Sequence, residues 1–142
     1  MSDADSKMHI PSDGFGGVSP ERKAAQALTS LVTFAAAKAV LAQMSGSGRG
    51  ALGAYNAEGY RALEYALENE SLRDADAWLL KLTKANNLVG VRIAETRLAY
   101  ASTDFEWDKL KELTLDQLQT GNEKTMRTAA AETFGRSIEK EE

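Results

Sequence analysis

The sequence predicts an all-α domain. No segment sustains the strict apolar–polar alternation of a half-buried strand. Several stretches instead carry apolar residues at helical spacing, and alanine, the strongest helix former, crowds the first of them. Helix-start signals stand where those stretches begin.

Residues 1–18 are polar, acidic and Gly-rich, with few apolar side chains to anchor them, and read as a disordered tail. Ser19-Pro20-Glu21 then starts a helix: serine as N-cap, proline in the first helical position, an acid facing the positive helix end. This helix runs to about Met44 and stops in SGSGRG. At 100° per residue, Leu28, Leu31 and Val32 point one way, Phe34 and Leu41 cover the next quadrant, and Val40 and Met44 lie on the far side. One small core cannot absorb all of that surface. The spacing leaves two readings: an interface or ligand groove, or surplus alanine tolerated within a bundle.

Residues 52–69 form a second helix striped by Leu52, Tyr55, Tyr60, Leu63 and Leu67, with Gly59 weakening its middle. DADAWLLKLTKA (residues 74–85) makes a short third helix, and Asn86-Asn87 marks a junction. From Leu88 a long pattern follows through Val89, Ile93, Leu98, Phe105, Trp107, Leu110, Leu113 and Leu118. Thr103-Asp104-Phe105-Glu106 has capping-box spacing, so the pattern kinks or restarts there. The helical domain spans 19–134, and 135–142 read as a frayed tail.

Composition narrows the function. The chain has 142 residues, enough for one domain with a sizeable core. It carries 17 basic and 21 acidic residues, interspersed, so no basic stripe marks a nucleic-acid surface. No apolar run approaches the ~20 residues of a bilayer span, and no secretory h-region opens the chain. Cysteine is absent, which removes disulfides, thiolate metal sites and a cysteine nucleophile.

Candidate chemistry is thin. Gly48-Arg49-Gly50-Ala51-Leu52-Gly53 matches GxGxxG by letters, but that motif needs a preceding strand to aim a pyrophosphate at the next helix, and here a helix precedes it. His9, the only histidine, lies in the tail, away from any core. Glu64, Glu68 and Glu70 read as solvated helix surface. Neither a cofactor nor a metal is indicated, and an enzyme is disfavoured. A pair of buried carboxylates working as acid and base would revive that reading through a strongly raised pKa.

Four segments carry a resemblance. Ala27-Leu28-Thr29-Ser30-Leu31-Val32-Thr33-Phe34, followed by Lys38 and Ala42-Gln43, resembles the first helix of the RbcX assembly chaperones of Rubisco. Leu88 to Arg97 is similar to that family's LxxRIxxxR segment. FGGVSPE and Asp104-Phe105-Glu106-Trp107-Asp108 are similar to plastid-type members, and the likeness covers about residues 15–134.

The resemblance implies a four-helix protomer with a long C-terminal helix, forming a homodimer without enzymatic activity. It implies a partner, the Rubisco large subunit, whose C-terminal tail enters a hydrophobic groove at the dimer interface while polar surface grips the subunit body. The chaperone then promotes large-subunit dimers and the octameric core, before small subunits displace it. Groove positions fall on Leu31, Phe34, Gln43 and Leu72; polar client contacts fall on Arg92, Arg97, Asn122 and Arg127. Where this chain has Leu31 the family often has an aromatic, frequently tyrosine, and residues 45–59 are longer and richer in glycine than usual. Gln43 lies opposite Phe34 on an ideal wheel, so a two-fold partner or a bent helix is required to present both to one peptide. The plastid likeness implies the chloroplast stroma, with a transit peptide absent from this version of the chain. A dimeric helical adaptor for another extended peptide is the alternative.

Overall fold

A computed structural model describes residues 7–11, 13–47 and 56–141. Among these residues five α-helices form and no strand does: α1 (Pro20–Ser47), α2 (Asn56–Asn69), α3 (Ala75–Ala85), α4 (Asn87–Ala99) and α5 (Trp107–Glu141). The chain divides into two units, Met1–Asp104 and Phe105–Glu142.

In the first unit one turn of 3-10 helix, Asp13–Phe15, precedes α1. The rest of the expected N-terminal tail is described at 7–11 only; residues 1–6 and 12 lie outside the described residues. Gly16 and Gly17 take φ of 69° and 83°, a left-handed turn that L side chains resist. Ser19 caps α1 as its sequence predicts, its Oγ accepting the Arg22 N–H at 3.1 Å. The Gly-rich 48–55 stretch, with the GxGxxG letters and the Leu52 and Tyr55 stripe positions, lies outside the described residues. Gly59 lies within α2 and is buried.

The core joins α1 (Ala36, Ala37, Val40, Met44), α2 (Leu63, Ala66), α3 (Trp78, Leu79, Leu82) and α4 (Val89, Ile93). Trp78 donates its indole N–H to the Ala66 carbonyl at 3.0 Å, tying α3 to the end of α2 without leaving a polar atom unpaired in the core. Asp74 caps α3 by accepting the Ala77 N–H at 3.1 Å. Asn86 ends α3 and starts α4: its backbone N–H reaches Leu82 O at 2.7 Å, and its side chain accepts from Val89 N at 3.2 Å.

By length and composition alone, Asp13–Ser45 is apolar enough to cross a membrane, contrary to the expectation that no run approaches a span. Small alanines lengthen its apolar character without making it bulky. Val32, Ala36, Ala37, Val40 and Met44 along it are buried in the protein's own core, as in an interior helix.

The long fourth pattern is interrupted where a restart is expected. A π-helical turn covers Tyr100–Asp104, and α5 begins at Trp107. The capping box itself does not form, because the chain stays helical through Asp104. The Thr103 hydroxyl therefore turns back to donate to Ala99 O at 2.7 Å. The Glu106 carbonyl instead accepts the Leu110 N–H at 3.0 Å. Within the second unit α5 continues to Glu141, past the end expected for the helical domain at residue 134.

Candidate functional site

Helix α1 divides its apolar side chains between two faces. Val32, Thr33, Ala36, Ala37 and Val40 are buried, whereas Leu31 is 53% and Phe34 44% exposed. Ala27, Leu31, Phe34 and Lys38, spaced four, three and four apart, share the outward stripe. Leu31 and Phe34 thus form an exposed face, whereas Val32, expected beside Leu31, turns inward with Val40 and Met44. The inner face closes without Leu31 and Phe34, on Val32, Ala36, Ala37, Val40 and Met44.

Gln43 belongs to a different surface. It lines an open groove of about 770 Å³ between α1 and α4, with Ala36 and Ala39 along α1 and Arg92, Glu95, Tyr100 and Asp104 across it. The structure therefore brings Gln43 and Arg92 together and places neither Leu31 nor Phe34 in that groove, consistent with the opposed wheel positions of Phe34 and Gln43. Leu72, in the connection between α2 and α3, is half-buried against the core.

The arginines separate for a helical reason. Positions five apart stand about 140° from each other. Arg92 reaches the groove, whereas Arg97 follows Val89 and Ile93, both 0% exposed, at intervals of four and so points coreward. Its Nη1–H donates to Thr33 Oγ1 at 3.0 Å, and its Nη2 pairs with Asp76 Oδ1 at 2.8 Å. Thr33 is fully buried, and its own hydroxyl donates to Thr29 O at 2.7 Å.

Sequence reasoning missed Thr33 and Asp76. A threonine among the buried positions of an apolar helix is the signal for the first, since its hydroxyl must find partners. Asp76 is only an acid in a helix's first turn, which marks no partner. In the second unit Asn122 and Arg127 are both exposed on α5 and, again five apart, do not share a face. Leu118, Met126 and Phe134 are also exposed there, at 59%, 70% and 68%. Among the described residues no cluster of three or more histidine or acidic side chains is arranged to hold a metal ion.

A family model described as RbcX protein matches residues 20–134. The chain is 36% identical over 130 residues to chaperonin-like RBCX protein 1, chloroplastic, of Arabidopsis thaliana, a match covering 89% of this chain and 69% of the relative. The fold is similar to the crystal structure of RbcX-IIa from Chlamydomonas reinhardtii, with a TM-score of 0.70 and 39% identity over 85% of this chain and 99% of that one. It is similar also to RbcX-IIa from Chlamydomonas reinhardtii in complex with the RbcL C-terminal tail, with a TM-score of 0.68, 36% identity, and coverage of 79% and 98%. The family pattern begins at the first residue of α1 and runs far into α5, and the chain belongs to the RbcX family.

Proposed function

We propose that this protein is a homodimeric Rubisco assembly chaperone of the chloroplast stroma. It binds the C-terminal tail of the folded large subunit in an apolar groove that a second copy completes, and so promotes assembly of the large-subunit core. The observation that carries this reading is the outward face of α1, where Leu31 and Phe34 stand 53% and 44% exposed at the positions the family resemblance assigns to the groove. An exposed leucine and phenylalanine on one helix face are suited to an extended apolar segment. Support comes from the 36%-identical chloroplastic relative and from the similar structure that holds the RbcL tail.

In this reading Gln43 and Leu72 complete the groove through the two-fold partner. Arg92, Asn122 and Arg127 meet polar and acidic groups on the client; Arg97, to which the resemblance assigns the same role, is engaged with Thr33 and Asp76 of its own chain. The family's client tail presents two phenylalanines spaced two apart, and burying each ring gains about 1.5–3 kcal/mol. Ordering the backbone of an extended tail costs about 1–2 kcal/mol per residue. The terms nearly offset, so one tail binds modestly and the polar contacts add avidity. Modest, divisible affinity suits a chaperone that small subunits must displace. The activity is binding, and no bond is made or broken.

The test is a fluorescence titration with a labelled large-subunit tail peptide. Wild type saturates, while Phe34→Asp, a change at an exposed site that leaves the protein folded, loses saturation. Equal binding by the folded variant overturns the assignment of Phe34. Absence of saturation by wild type overturns the choice of client and leaves an adaptor for some other peptide.

A further inference from the structure

We infer that Arg97 is a positioning residue: through Thr33 it fixes the rotation of α1, and with it the direction in which Leu31 and Phe34 face. The inference rests on the tail-binding reading above. Thr33 lies between those two residues in the chain but points the opposite way, into the protein, where it is fully buried. Arg97 Nη1 reaches its hydroxyl at 3.0 Å, and Nη2 reaches Asp76 of α3 at 2.8 Å. One planar guanidinium from α4 thus holds α1 and α3 at once, a geometry that the fork of arginine donors provides and a lysine point charge does not.

Such a bond matters here because, between Val32 and Val40, the core side of α1 next to Thr33 is filled by Ala36 and Ala37. Ala36 and Ala37 interlock weakly with neighbours and resist rotation of the helix less than large side chains do. A directional polar bond supplies the missing specification. At about 5 Å from the helix axis, a rotation of roughly 20° displaces a side chain by about 2 Å, enough to misalign an aromatic ring with its pocket. The Arg97–Asp76 pair contributes little by itself, since the Asp76 side chain is 74% exposed. Its task is to hold the guanidinium in place.

Tail-peptide affinity and amide hydrogen exchange along α1 test this in Arg97→Met, Thr33→Val, their double variant and Arg97→Lys. Arg97→Met and Thr33→Val each lower peptide affinity about tenfold, as expected for a hydrogen bond to a charged group. The double variant is no worse than the weaker single one, because both substitutions remove one link. Arg97→Lys recovers part of the loss, and the salt dependence of binding stays that of wild type. Additive losses, or a flattened salt dependence in Arg97→Met, mark a direct contact with client carboxylates and overturn the inference. Should Arg97→Met fail to fold, Thr33→Val against Arg97→Lys carries the same comparison. If wild type does not bind the tail, the tail-binding reading falls and exchange alone decides. Faster exchange around residues 31–34 in both single variants supports a positioning role for Arg97; unchanged exchange overturns it.

Discussion

Gly90 shows how closely two helices of this fold approach. A β-carbon placed there meets the Cα and Cβ of Thr83 on α3, each at 2.7 Å, well inside contact distance and against backbone that cannot swing away. Gly90→Ala should therefore destabilise the fold by about 1–3 kcal/mol through overpacking, despite alanine's better helix propensity. Urea denaturation checks the sign, because an exposed helical glycine changed to alanine is stabilised instead. This requirement was not legible in the sequence, where LVGVRI reads only as part of a helical pattern. The buried positions Leu63, Trp78, Leu82, Val89 and Ile93 were legible as members of helical apolar patterns, but the same pattern on α4 also took in Leu98, which is 69% exposed. The coreward direction of Arg97 was readable from the same spacing, but its partners were not. Thr33 and Asp76 lie on other helices, and no local rule brings three segments together.

At the scale of elements, the junctions are held by capping side chains. Asn86 serves two helices, and Asn86→Ala removes the side-chain acceptor at the start of α4 while leaving the backbone bond that ends α3. The expected loss is about 1 kcal/mol, measured as a lower denaturation midpoint with unchanged slope. A second link, from Lys81 Nζ to Glu70 Oε1 at 2.9 Å, joins α3 to the residue after α2. The hydrogen bond and charge of Glu70 hold the Lys81 ammonium above its ordinary value of 10.5. Its small contribution is therefore fully present below 10.5 and disappears as pH rises through the higher folded-state value. In urea titrations, the deficit of Lys81→Met relative to wild type should shrink over that alkaline range. Existence and type of the elements were legible from caps and periodicity. The extension of α5 past residue 134 and the failure of the Thr103 capping box were not, because boundaries depend on which backbone groups find partners in space.

For the whole molecule, exposed apolar surface is the main quantity. Besides Leu31 and Phe34, α4 exposes Leu88, Val91 and Leu98, and α5 exposes Leu118, Met126 and Phe134. A single chain with this much uncovered surface is expected to pair with a copy of itself. Light scattering on the purified protein should give twice the chain mass of 15.4 kDa. A mass of one chain overturns the dimer and leaves the groove without its second wall. The family was readable because its motifs are local strings on α1, on α4 and around Asp104–Asp108 that mix buried and exposed positions, whereas the partner's contribution is absent from any single-chain pattern.

The two-faced design of α1 also bears on how such a chaperone diversifies. Its interior is satisfied by Ala36, Ala37, Val40 and the tethered Thr33, none of which touches solvent appreciably. The side chains that fill the core and those that face outward are thus separate letters of one helix, joined through Thr33. On the proposed tail-binding reading, mutation can retune the outward pair toward an altered client sequence while the core residues beneath stay in place, and a leucine at position 31 is the kind of substitution this arrangement permits.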